Sequence, residues 1–445
     1  PGDAEFYPQA QSQPGNCFAT GEKLGAAAVV ALAGGKQFHF ANAEVLAGFD
    51  ARVAAFDLEP GPYTGSQVIF LLADGDDGFD WPAAEDEVDL QASSWTETPK
   101  DVYFIRIDFS DVPGASINEA DLDELMNTTV SDTIEEMSYG KTEINGTVSP
   151  VVVRMPNPTS AYTSTDNNGL HSDAKAAAEA QVSGLDLDDY DIVGVHFASI
   201  GMGSGPLSAY AGLAGGSRQW IQGNSSSNVM IHEFGHNYGI GHASFWETSD
   251  GSVVGAGTSD EYGDDFDIMG DGSNSAHPHP QAKQRLAWLE PAQWTDVSSA
   301  GSGTFRVYRF DDPGTTGSTR GLRVTKGASP DEYYWLGYRK NLADNQWLQS
   351  GAYLVWQRPS NTRSWLLDTT PGSDDGRDDG AILPGRTYSD SAAQLHITTV
   401  ASGGSAPDEW IDVRVNLGSF SGNSAPTATL NSPATAEARE NDDER

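Results

Sequence analysis

Between residues 118 and 137, Leu122, Leu125, Met126, Val130, Ile134 and Met137 recur at spacings of three and four, which predicts an amphipathic helix ended at Gly140. Ahead of it, residues 102–109 alternate and are rich in β-branched and aromatic side chains, the pattern of a strand. A second strand is predicted at 151–155, a second helix at 174–182 stopped by Gly184, and a buried strand at 191–197. Strand, helix, strand, helix, strand is the order of an α/β or α+β domain. Beyond residue 293 the period shortens. Runs at 305–310, 333–338, 352–357, 395–400 and 410–415 alternate with Gly, Asp, Pro and Ser turns, and predict an antiparallel β-sandwich. Residues 1–95 mix short β-like runs (54–56, 68–72) with Gly and Asp turns. Residues 419–445 are rich in Ser, Pro, Thr and Ala and read as a linker or disordered tail. The expected divisions are therefore 1–95, 96–292, 293–418 and 419–445.

Composition narrows the function classes. A chain of 445 residues is expected to hold several cores, and 38% hydrophobic with 10% aromatic residues can fill them. No run of 18 apolar residues occurs, so no membrane span is expected; the stretch 26–33 is too short. Against 25 basic residues stand 64 acidic ones, a net charge of −39. Such a surface repels nucleic acid and anionic membranes alike. It suits either a salty medium, where the Debye length falls to about 3 Å at 1 M, or a secreted protein kept soluble by charge. A single cysteine, Cys17, leaves no intramolecular disulfide. The chain opens on Pro1 without the succession of a secretion leader, and is expected to be either a form already processed by a signal peptidase or a piece cut from a longer chain.

The candidate chemistry sits in one gapless run, His232-Glu233-Phe234-Gly235-His236-Asn237-Tyr238-Gly239-Ile240-Gly241-His242. On a helix, His232 and His236 share a face and can hold one metal ion, with Glu233 beside them to reach a metal-bound water. Gly239 and Gly241 are expected to let the helix stop and the chain swing back, bringing His242 to the metal as third ligand. Three protein ligands leave a fourth position for water, which marks a catalytic zinc rather than a structural one. Met269 followed by Gly270 comes 27 residues after His242.

This run, together with Glu261-Tyr262-Gly263-Asp264 and Asp267-Ile268-Met269-Gly270, resembles the gametolysin-type metzincin peptidases. Ser138-Tyr139-Gly140-Lys141 and the run Ala211 to Gly216 are similar to that group as well, the latter as the segment near a substrate-binding edge strand. The resemblance covers residues 100–292. Asp368-Thr369-Thr370-Pro371 and the stretch from Asp379 to Tyr388 also look like immune-inhibitor-A-type peptidases. The resemblance implies an α+β metzincin catalytic domain, a mixed twisted sheet with an active-site helix, between an N-terminal β-rich pro-segment and the C-terminal sandwich. It implies zinc held by His232, His236 and His242, Glu233 as general base, and Met269 as the methionine turn. The activity implied is that of a secreted, extracellular, monomeric endopeptidase acting on proteins or peptides.

Other residues carry weaker readings. Cys17 is a candidate zinc-blocking ligand of a latent zymogen, although its surroundings do not follow the cysteine-switch pattern of matrix metalloproteases. His277 and His279 are read as a loop leading into a helix over 281–289 rather than a second metal site. His39, His171, His196 and His396 are read as packed or surface residues. Tyr262 is a candidate for the phenol that some metzincins hold near the transition state, but it precedes Met269 rather than following it, so that role is not expected. Carboxylate clusters at 74–80, at Asp264-Asp265 and at 374–379 are candidate calcium ligands, though none has EF-hand spacing. Two competing functions are a binding or adhesion protein that uses sandwich aromatics such as Trp347, Trp356 and Trp365, and an amidase of cell-wall peptides.

Overall fold

The computed structural model describes residues 29–32, 36–39 and 95–418, apart from 163–165, 203–209, 328–331, 343–344 and 360–361. Cys17, the carboxylates at 74–80, the rest of the expected pro-segment and the tail 419–445 lie outside the described residues. Two short strands ahead of residue 95, β1 (Val29–Leu32) and β2 (Lys36–His39), pair antiparallel.

The first large sheet grows around β3 (Lys100–Asp108). It lies parallel to β4 (Ile144–Val148) and β5 (Val153–Arg154) on one side and to β6 (Ile192–Phe197) on the other. Next comes β8 (Arg218–Gln222), parallel to β6, and then the edge strand β7 (Gly212–Gly215), antiparallel to β8. A parallel centre needs cover on both faces, which is why β3 and β6 read as continuous apolar runs. Val102 and Phe104 face one core, while Tyr103, Ile105 and Ile107 face the other.

The first core is closed by helix α1, in which Glu119–Glu124, Leu125–Val130 and Ser131–Met137 follow as α, π and α segments. Asn118 caps it by accepting from the Asp121 amide at 2.9 Å. Leu122, Met126, Val130, Ile134 and Met137 of the stripe predicted from spacing are buried there, and Leu125 packs against them partly buried. Helix α2 (Asn167–Gln181) covers the other face and starts seven positions earlier than its Ala-rich portion suggests. Its first turn carries Asn, Asn and Gly, poor helix formers that the Asp166 side chain compensates by capping the Gly169 amide at 3.0 Å.

The second sheet departs from the expected division at 292. Its order is β10-β9-β16-β15-β14-β13-β11. The hairpin β9 (Ala243–Thr248) and β10 (Gly257–Asp260) comes from before residue 292. From beyond it come β11 (Trp294–Asp296), β13 (Gly321–Thr325), β14 (Tyr333–Gly337), β15 (Tyr353–Gln357) and β16 (Ser364–Leu366). Nor is the pairing wholly antiparallel, since β16 runs parallel to β9 and β11 parallel to β13. A third sheet, β12-β19-β18-β17, is formed by β12 (Gly303–Tyr308), β17 (Thr387–Asp390), β18 (Leu395–Gly403) and β19 (Trp410–Leu417). Val307, Ile397, Ile411 and Val413 from this sheet meet Leu322, Val324, Leu336 and Leu354 of the seven-stranded sheet in a common core.

Trp356 and Trp365 do not form an exposed binding platform. They are 9% and 4% exposed and, with Trp246, surround the Arg358 guanidinium at 5.0 to 5.2 Å. Trp347 is half-buried against the core that contains Trp335.

Candidate metal centre

Helix α3 (Ser227–Tyr238) carries the first two imidazoles and packs Met230, Ile231, Phe234 and Tyr238 against the first core. It ends because Gly239 takes φ 95°, a left-handed angle that a Cβ would resist. Gly241 has no such angle. What it contributes is its amide, donated to the Thr362 carbonyl at 3.3 Å as the chain turns into β9. The turn delivers His242, so that one ligand atom from each of His232, His236 and His242 lies within 4.8 Å of the others. No other group of three or more His, Cys, Asp or Glu residues gathers in this way among the described residues.

Each ring is oriented through Nδ1. That atom lies 2.8 Å from the Ile268 carbonyl in His232, 2.9 Å from the Ile240 carbonyl in His236 and 2.7 Å from Glu261 Oε1 in His242. With Nδ1 holding the hydrogen in all three, the Nε2 lone pairs are left for a common centre. His236 Nε2 and His242 Nε2 stand 3.0 Å apart. Tetrahedral zinc with bonds of about 2.0–2.1 Å places its nitrogens roughly 3.3 Å apart, so the donor set fits with a small opening. Burial lowers His232 to about 4 and takes His236 well below the ordinary histidine range. Both rings are therefore neutral at physiological pH, the state a metal needs.

The floor is Met269. A Cβ on Gly235, between the two helical histidines, would collide with its Sδ, so the glycine lets the thioether approach the helix. The turn is pinned by Asp267, whose carboxylate accepts from the Met269 amide at 2.9 Å and from the His279 amide at 2.8 Å. The Met269 carbonyl accepts from Ala243 at 2.9 Å, tying the floor to the start of β9. Asp264 supports the same turn by accepting from the Phe266 amide at 3.0 Å and from the Tyr353 hydroxyl. Burial raises both carboxyls, with Arg339 opposing the rise. Asp264 is thus a strut of the turn and Asp265 pairs with Arg377 at 3.0 Å, which accounts for that candidate calcium cluster without an ion. In the later cluster Asp379 accepts from Thr370 and Ser373 hydroxyls at 2.6 and 2.8 Å.

Glu233 lies beneath β7 and is 5% exposed. Burial pushes its carboxyl up to about 8, and its Oε2 has no hydrogen-bond partner among the described residues. The place exists because β7 has a glycine there: a Cβ on Gly212 would collide with Glu233 Oε1 and crowd Cγ and Cδ, each at 2.7 Å. Asn237 holds the helix to this strand pair, donating to the Gly216 and Arg218 carbonyls at 2.8 and 2.9 Å. Gly212→Ala is expected to keep metal affinity within a few-fold while lowering kcat by about 10²-fold, since only the carboxylate must move. Equal losses in both quantities, measured by chelator competition and initial rates, would contradict that role.

Two residues here escaped the sequence reading. Glu261 was visible only as part of a motif, and nothing in its spacing announced a bond to His242. Tyr262, not expected to serve as a phenol of the site, lies beside the histidines: its ring centroid is 4.0 Å from that of His242 and 5.8 Å from that of His232. It is 44% exposed and held at φ 62°, unusual for a residue other than glycine.

The remaining histidines have other partners. His171 meets the Val193 carbonyl at 2.9 Å, His196 meets Ser116 and Asn224 at 2.8 Å each, and His396 meets Ser389 at 2.8 Å. The His39 side chain lies outside the described residues. His279 caps helix α4 (Pro280–Arg285), shorter than the 281–289 expected, and His277 is buried beside Lys283 and Glu136.

A family model described as gametolysin peptidase M11 matches residues 116–342, just over half of the 445-residue chain. No curated protein matches the chain. The likeness of the β-rich part to immune-inhibitor-A-type peptidases stands on its quoted residues alone. Because the convergent imidazoles, the buried carboxylate and the methionine floor all fall within the matched span, we assign the chain to the gametolysin peptidase M11 family of metallopeptidases.

Proposed function

We propose that the chain is a zinc-dependent endopeptidase of the metzincin type, with Glu233 as general base and acid. The observation that carries this reading is the pairing of three oriented imidazoles with a buried carboxylate whose Oε2 is unsatisfied. Zinc, when bound, supplies a Lewis acid and brings the pKa of a coordinated water toward about 7. The chain's own residues do the rest. His232, His236 and His242 would hold the ion with three ligands, the number that leaves a fourth position for water. Glu233 takes the proton as water attacks the scissile carbonyl and returns it to the departing amine. The outer edge of β7 has no strand beside it among the described residues, and an extended peptide can add there by main-chain hydrogen bonds. Protein or peptide substrates suit this edge; nucleic acid and membranes do not suit the charge.

We further propose that the enzyme works outside the cell as a monomer, and that residues 1–95 are a pro-segment in which the Cys17 thiolate competes for the open position. The acidic surface and the family resemblance support this. The test is hydrolysis of an unfolded protein before and after chelation. Activity should vanish with the metal and return with zinc at one equivalent, and a thiol-modifying reagent should raise it in the intact chain. Activity that survives full metal removal sinks the zinc reading; indifference to the thiol reagent sinks only the switch.

A further inference from the structure

We infer that Glu261 and Arg363 are a positioning pair for the third metal ligand, so that the seven-stranded sheet is a working part of the metal centre. This rests on the zinc reading above. Two of the three ligands stand on α3 and are fixed by its backbone; His242 stands past the helix end and must be fixed from outside. His232 and His236 meet main-chain carbonyls, whereas His242 meets a carboxylate, Glu261 Oε1, at 2.7 Å. The same oxygen lies 3.0 Å from Arg363 Nη1, and the Arg363 side chain is only 19% exposed. Arg363 lies beyond the matched span 116–342, on the lead-in to β16.

That lead-in reaches the ligand loop by its backbone as well. Gly241 donates to the Thr362 carbonyl at 3.3 Å, Ser364 donates to the His242 carbonyl at 3.4 Å, and Ala243 stands opposite Ser364 in the parallel register. Tyr262 packs on the His242 ring at 4.0 Å. The imidazole is thus held at Nδ1, along its ring and at its own main chain. A carboxylate at Nδ1 fixes the tautomer and makes the imidazole a stronger donor. Arg363 does a separate job, since it holds Glu261 in place and keeps that carboxylate from swinging to the metal itself.

The test uses the full chain and two readouts that need no turnover, zinc affinity by chelator competition and the visible spectrum of the cobalt(II) form. Glu261→Ala is expected to weaken zinc binding by about 10–100-fold and to shift the cobalt bands. Arg363→Ala should weaken it by roughly 10-fold, and Arg363→Lys should recover most of that. Because Arg363 acts through Glu261, the double alanine variant should bind no more weakly than Glu261→Ala alone. Affinity within two-fold of wild type in Glu261→Ala, or losses that add in the double variant, would overturn the pair. Should Glu261→Ala not fold, Glu261→Gln decides: weaker zinc supports the inference and unchanged zinc overturns it. Wild-type protein that binds no zinc removes the parent reading, and this one with it.

Discussion

Glu233→Gln is expected to bind zinc as tightly as the wild type and to lose turnover by a factor on the order of 10³. The amide matches the carboxyl in shape, which matters because the side chain is 5% exposed and lies against Gly212 with no room for anything larger. It makes no bond to the three imidazoles, whose orientation comes from Ile268, Ile240 and Glu261. Only the ability to take and return a proton is lost. Retained activity would remove Glu233 from the mechanism, and loss of zinc would mean that the carboxylate helps to hold the metal. Initial rates beside metal content separate these outcomes.

Ending the chain at residue 342 is expected to abolish cooperative folding and zinc binding together. The cut removes β15 and β16, leaving β14 and β9 each without one of its two neighbours in the seven-stranded sheet. It also strips Tyr353, Val355 and Leu366 from the core that holds Phe266 and Trp335. Each such side chain contributes about 1.5–3 kcal/mol on burial, against a total stability of roughly 5–15 kcal/mol for a domain. The damage reaches the metal through Tyr353, whose hydroxyl serves Asp264 under the methionine turn, and through Arg363. A soluble 95–342 piece with a single sharp melting transition and bound zinc would contradict the intimacy described here.

The parts of the site that were legible in the sequence share a physical feature. Helical periodicity places His232, Glu233 and His236 within five residues, and a glycine turn brings in His242 six residues later, so local geometry suffices. The α1 stripe was legible for the same reason. What escaped depends on contacts far along the chain. Glu261 and Arg363 meet only because β9 and β16 pair in parallel, a register that no local pattern encodes. The hairpin β9–β10 is short, and joins a sheet whose other strands begin at Trp294. Position before Met269 misled the reading of Tyr262, whose place depends on its own left-handed backbone angle. Spacing also gave Gly239 and Gly241 the same task, although only Gly239 uses its freedom from a Cβ.

The most direct measurement is digestion of an unfolded protein by zinc-loaded chain that begins just before Trp95, with Glu233→Gln as its control. That start keeps the Trp95 indole on the Asn237 carbonyl and the Thr96 carbonyl on Trp288, at 2.8 and 2.9 Å. The account predicts one zinc per chain in both proteins and cleavage by the wild type alone. One bound zinc with no cleavage of any unfolded substrate, or equal cleavage by both proteins, would contradict it.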